Sequence, residues 1–159
     1  MGVNFMKIGI IVYSQTEHTY SVATKLKEKL LAAEHETEIE KVIPIGEVQP
    51  RQKEVKIENQ PNVNAYDALI FGSPVHAFAL APAMKVYLEQ IQSLQEKKIA
   101  CYVTKNLPLN WTGGSQAINA MKKICESKGG SVIGTGIIVW RGGREKQIAN
   151  LVDRISSLF

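Results

Sequence analysis

The stretch "YDALIFGSPVHAFALAPAMKVYLE", Tyr66 to Glu89, holds the pattern that decides the fold. Tyr66 to Gly72 opens it with a short apolar run, as a strand buried on both faces requires. Gly72 and Pro74 are expected to force a sharp exit from that strand and to expose backbone amides. Pro82 suits the first turn of a helix, where its missing N–H costs nothing. Met84, Tyr87, Leu88, Ile91 and Leu94 then recur at helical spacing. One strand, one loop rich in Gly, Pro, His and Phe, and one amphipathic helix therefore follow in order.

The same unit recurs outward in both directions. "KIGIIVY" (7–13) is a continuous apolar run, and Val22, Leu26, Leu30 and Ala33 follow at helical spacing. "TEIEKVI" (37–43) reads as a second strand. Beyond the central unit, "KIACYV" (98–103) is a fourth strand, and Ile118, Met121 and Cys125 mark a helix that Gly129-Gly130 ends. "SVIGTGIIVW" (131–140) is a fifth strand, and Ile148, Leu151, Val152 and Ile155 complete a last helix. Alternation of this kind predicts an α/β, doubly wound, five-stranded parallel sheet with helices on both faces. The 159 residues suffice for one domain, 1–159. Only 46–64 breaks the rhythm. It is polar, contains Pro50 and Pro61, and its apolar residues (Val48, Val55, Ile57, Val63) do not support the helix expected there. It reads as a long polar loop, of the functional or poorly ordered kind.

Composition narrows the partners. Nineteen basic against fifteen acidic residues give +4. The basic residues are scattered, which argues against nucleic acid as the main partner. No apolar run is long enough for a membrane span, and no signal-peptide pattern is present. Cys101 and Cys125 stand far apart without metal spacing, which fits buried, reduced thiols in a cytoplasmic protein. Oligomeric state is not legible.

Open parallel sheets bind ligands outside the carboxyl ends of their strands. Three such ends carry chemistry. After the first strand, "SQTEHT" (14–19) brings Ser14, Thr16 and Thr19 to the start of a helix. Unpaired amides and the helix dipole favour an anion there, and hydroxyls donate to phosphate oxygens without adding charge. A plain helix cap by Ser14 or Thr16 explains the same residues equally well. After the third strand, Phe78 offers an aromatic face, though core packing is its commoner fate. After the fourth, "TKNLPLNWTGGSQ" (104–116) supplies Trp111 and the flexible Gly113-Gly114. Convergence of the three loops on one rim favours a ligand.

Several chemistries are excluded. A phospho-acceptor receiver needs clustered acids after the first strand and an Asp ending the third, where this chain has Ser14 and Gly72-Ser73. No Walker A loop is present. "GTGIIV" (134–139) lacks the last Gly of a dinucleotide fingerprint and lies in a strand. "GGSQA" (113–117) approaches a nucleophile elbow, but His18, His35 and His76 all precede it, against the Ser–acid–His order. His18 and His76 alone make no metal site. No catalytic residue and no metal ligand are assigned.

The chain resembles the flavodoxin family over essentially its whole length. The carriers are "IVYSQTEHT", the Tyr66–Glu89 segment and "TGGSQ". The family loop S/T-x-T-G-x-T binds the FMN phosphate. Ser14, Gln15, Thr16, Glu17, His18 and Thr19 match it except at Glu17, where the family has Gly. The resemblance implies the sheet order 2-1-3-4-5. It also implies that Ser73, Pro74, Val75, His76 and Phe78 border the isoalloxazine. Thr104, Lys105, Asn106, Trp111, Gly113 and Gly114 would close its other side. What it implies in function is a redox protein carrying electrons on non-covalent FMN, with a redox protein, a pyridine nucleotide or a quinone as partner. An NAD(P)H-dependent quinone or FMN reductase, and a fold that has lost its cofactor, stand as alternatives. Enzyme and carrier are not separated by these residues. Electron-carrying flavodoxins are strongly acidic, whereas this chain is basic.

Overall fold

A computed structural model describes residues 5–15, 17–107 and 113–159. Two expected site residues, Thr16 and Trp111, lie outside the described residues. The strands are β1 (Lys7–Val12), β2 (Glu36–Lys41), β3 (Ile43–Pro44), β4 (Ile57–Asn59), β5 (Ala68–His76), β6 (Ala79–Leu80), β7 (Lys98–Lys105) and β8 (Ser131–Val139). The helices are α1 (Glu17–Ala32), α2 (Pro82–Gln90), α3 (Gly114–Ser127) and α4 (Arg144–Ser156). The main sheet runs β2-β1-β5-β7-β8, all parallel, which is the expected 2-1-3-4-5.

Each face of the sheet has its own core. Ile8, Ile10 and Val12 of β1 point to the face covered by α1 and α4, where Leu26, Leu30, Leu151 and Ile155 pack. Ile11, Leu69, Phe71 and Val103 point to the other face, against Met84 and Leu88 of α2 and Met121 and Cys125 of α3. The alternation along β1 is the two-residue repeat of a strand sandwiched between two layers. Cys101 and Cys125 are both buried and free of any disulfide.

Three expectations are corrected. The first concerns 46–64, which is more than a polar loop. It contains β4, antiparallel to β3, and a 3-10 turn at Val63–Ala65. Val48, Val55, Ile57 and Val63 are all buried in the α2/α3-face core. Their spacing fits no helix because they reach the sheet face from different backbone: Val48 and Val55 from irregular chain, Ile57 from β4 and Val63 from the 3-10 turn. The second is the exit at Gly72–Pro74. β5 continues to His76, with Ser73 paired to Val103 and Pro74 to Thr104. Gly72 turns its carbonyl to β1, accepting from Tyr13 N at 3.1 Å. Pro74, two residues on, turns its missing N–H to the same side, beyond the end of β1, so no ladder bond is lost. The third is the helix after Pro82, which stops at Gln90. Ile91 is extended, and Leu94 lies buried beyond the helix.

Candidate functional site

Strand direction brings the loops after β1, β5 and β7 to one edge of the sheet. Three adjoining depressions run along it, of about 430, 240 and 140 Å³. Gln15, Val75 and His76 are shared by the first two, and Val75, Lys105 and Asn106 by the last two. The middle depression is also lined by His18, Pro74 and Thr104.

The β1 side is fixed to the sheet by its hydroxyls. Thr19, in the first turn of α1, is buried, and its Oγ1 lies 2.8 Å from Thr104 Oγ1 at the end of β7. Tyr102, fully buried on β7, donates its phenolic O–H to the Thr19 carbonyl at 2.7 Å. The ring reaches that carbonyl across Gly72, where an added Cβ would stand 2.4 Å from Tyr102 Cζ. Ser14 is half-buried, and Gln15 and Glu17 are exposed. Glu17 opens α1, where a carboxylate suits the helix dipole.

His18 and His76 occupy different surroundings. The His18 ring stacks on Trp140 with centroids 3.8 Å apart and planes 13° apart. Arg144 lies over the same indole at 4.5 Å. Partial burial, and then the Arg144 cation, hold the His18 pKa below that of an ordinary imidazole. His76 meets the Tyr13 ring edge-on at 6.0 Å. Its Nδ1 is buried with no hydrogen-bond partner, alone among the buried side-chain N and O atoms of the described residues. Burial lowers the His76 pKa as well. Both rings are therefore neutral at pH 7.

The β5 side ends in a two-residue hairpin. Val75 pairs with Leu80 and His76 with Ala79, leaving Ala77 and Phe78 as the turn. Both have positive φ, 46° and 65°. That is the left-handed backbone of a type I′ turn, usually given to Asn-Gly, and it costs side-chain-bearing residues about 1–2 kcal/mol each. Among the described residues, Arg51 and Gly113 meet it. Arg51 Nη2 donates to the Ala77 carbonyl at 3.3 Å. Gly113, at φ 95°, lies so close that an added Cβ would stand 2.3 Å from the Phe78 carbonyl carbon. Only glycine combines that φ with that approach. Phe78 itself is 47% exposed at the rim. Strain of this kind gathers at functional sites.

The expected residues thus fall into groups. Gln15, His18, Pro74, Val75, His76, Phe78, Thr104, Lys105 and Asn106 line the depressions. Ser73 is fully buried and donates its Oγ–H to the Pro74 carbonyl at 2.9 Å. Gly113 and Gly114 are buried where α3 begins. Sequence reasoning missed Trp140, Arg144 and Arg51. The signal for the first two was present: Trp140 stands at the carboxyl end of the last strand, followed by "RGGR". Among the described residues, no cluster of His, Cys, Asp or Glu has metal-binding geometry, and no helix is long and apolar enough to cross a membrane.

The fold is similar to that of solved flavodoxins and flavoproteins. Flavodoxin 2 from Bacillus cereus superposes with a TM-score of 0.70 at 19% identity, over 96% of this chain and 99% of that one. A Fusobacterium nucleatum flavodoxin bound to flavin mononucleotide gives 0.66 at 16% identity, over 98% and 99%. A flavoprotein from Lactobacillus acidophilus in complex with FMN gives 0.64 at 18% identity, over 91% and 97%. No family model and no curated protein matches the chain. The fold is therefore flavodoxin-like at identities too low to carry individual residues across.

Proposed function

We propose that this chain binds FMN non-covalently at the β1/β5/β7 edge and carries electrons between redox partners. The observation that carries the reading is the crevice itself. The first turn of α1, the strained β5–β6 hairpin and the end of β7 converge on it, and His76 on its wall carries a buried Nδ1 with no hydrogen-bond partner among the described residues. A buried polar atom without a partner calls for a physical reason, and a functional role at the site is one of the few that apply. Two of the solved structures with this fold contain FMN, which supports the same ligand.

Ser14 to Thr19 and the amides opening α1 would take the phosphate. His18, His76, Phe78 and Asn106 would border the ring. Bound flavin supplies the electron chemistry, and the protein supplies position and electrostatics. Glu17 keeps its carboxylate in solvent. Within about 4 Å of a phosphate charge it would cost roughly 1 kcal/mol in water, and about 4 at an effective dielectric near 20. The basic balance of the chain favours anionic reduced flavin and a moderate midpoint potential. A very negative potential in a redox titration would contradict that part.

Titration of the flavin-free protein with FMN, followed by absorbance and by quenching of flavin fluorescence, tests the binding. Saturation at one FMN per chain is expected, and absence of binding overturns the reading. Stopped-flow mixing of the loaded protein with NADPH should give slow reduction unless a reductase is added. Fast direct reduction would instead make the chain a pyridine-nucleotide-dependent reductase.

A further inference from the structure

The geometry points to a docking surface for an acidic protein partner, centred on the groove between α2 and α3 and running onto the β5–β6 hairpin. This deepens the electron-carrier reading and rests on it for the role of the partner.

The groove has a volume of about 440 Å³. Its floor is apolar, with Leu80 of β6 and Val86 of α2, and its walls carry Arg51, Lys53 and Lys85 against the single carboxylate of Glu89. All three cations are exposed. Arg51 also bonds the Ala77 carbonyl, so the groove wall and the hairpin turn are one continuous piece. On the far side of that turn lies the smallest depression of the crevice, lined by Phe78, Lys105 and Leu107. Phe78 and Leu107 are 47% and 41% exposed. Apolar anchors ringed by charge are the anatomy of a protein interface. Three exposed cations against one carboxylate in the groove fix the sign of the partner as negative. The surface adjoins the crevice, so a protein seated on it sits beside the proposed flavin.

Two measurements test this. The first is independent of flavin. Isotope-labelled protein is titrated with a short peptide alternating Glu and Asp with Leu, and with a Lys/Leu peptide of equal length. Amide shifts at 51–53 and 79–86 with the acidic peptide alone are expected. Equal shifts with both peptides, shifts elsewhere, or none overturn the surface. The second uses reduced, FMN-loaded protein oxidised by ferricyanide, an anion, or by hexaammineruthenium(III), a cation. The ferricyanide rate should fall several-fold as ionic strength rises from about 0.01 to 0.15 M, where the Debye length shrinks from about 30 to 8 Å, and the ruthenium rate should rise. Arg51→Glu/Lys53→Glu/Lys85→Glu should abolish or invert the ferricyanide slope. Lys25→Glu/Lys27→Glu/Arg154→Glu carries the same net charge on the α1/α4 face and should leave most of the slope. Equal effects of the two triple variants overturn a local surface. If no flavin is bound, the carrier reading falls by itself, while the peptide titration still decides the surface.

Discussion

Two tyrosines lie across two glycines in this sheet, one pair on each face. Tyr66 crosses Gly9, where an added Cβ would stand 2.6 Å from Tyr66 Cδ2. Its hydroxyl meets the carboxylates of Glu38 and Glu40 on the edge strand β2. Tyr102 crosses Gly72 on the opposite face, and its hydroxyl takes the Thr19 carbonyl in the first turn of α1. The device is the same: a strand glycine leaves a trough, and a neighbouring ring fills it and reaches a polar group beyond. The destination differs. The first pair pins an edge strand. The second pins the helix whose amino end faces the crevice, so the same packing serves stability in one place and site geometry in the other.

The sharpest way to break this contrast is Gly72→Ala. The new methyl displaces the Tyr102 ring, which is fully buried and cannot swing into solvent. Overpacking of this kind costs about 3 kcal/mol. FMN affinity should also fall by about tenfold or more, equivalent to about 1.4 kcal/mol, as α1 shifts. Chemical denaturation and FMN titration read the two effects. Gly9→Ala should cost about 2 kcal/mol by the same mechanism, while leaving FMN affinity unchanged. Equal loss of affinity in both variants would erase the distinction. Tyr102→Phe removes one buried hydrogen bond, worth about 1 kcal/mol, and should weaken FMN only a few-fold.

pH reads both regions: the Tyr102 phenol, like that of Tyr66, is held far above its usual value by burial, so both contribute to the alkaline limb. The Tyr66 phenol is held far above its usual value of 10.0 by burial and by the two carboxylates. The folded state therefore binds that proton more tightly than the unfolded chain does. Its contribution is complete below pH 10 and is lost as pH rises beyond it. His76 has the opposite sign. Its folded pKa lies below 6.5, so its contribution is present above pH 6.5 and is lost as pH falls below. His76→Phe should flatten the acid limb of a stability–pH curve, and Tyr66→Phe part of the alkaline limb. The smallest effect is expected at Glu17→Gly. FMN affinity should stay equal or improve, with a loss of stability of about 1 kcal/mol or less from a weaker helix start. A marked loss of affinity would give the carboxylate a positive role in the site.

The sequence made the parallel sheet legible because its strands are apolar runs alternating with helical patterns, whereas the strand order came from the family resemblance alone. The three rim loops were legible for the same reason, since the carboxyl ends of central strands are fixed once the order is. What stayed hidden depends on contacts across the chain. Ala77 and Phe78 carry none of the Asn-Gly chemistry of their turn, so nothing local announced the hairpin. Val48, Val55, Ile57 and Val63 have no common period because irregular chain, a short strand and a 3-10 turn bury them in turn. Tyr102 and Gly72 look like ordinary strand residues until register sets them side by side.

The central claim is that one ligand engages all three rim loops, with its phosphate at the first. Amide spectra of isotope-labelled protein with FMN and with riboflavin, which lacks the phosphate, test it directly. FMN should shift 14–19, 74–78 and 104–106 together, and riboflavin should shift only the latter two groups, with weaker affinity. Identical shifts and affinity for both ligands, or shifts confined to one loop, would contradict the account.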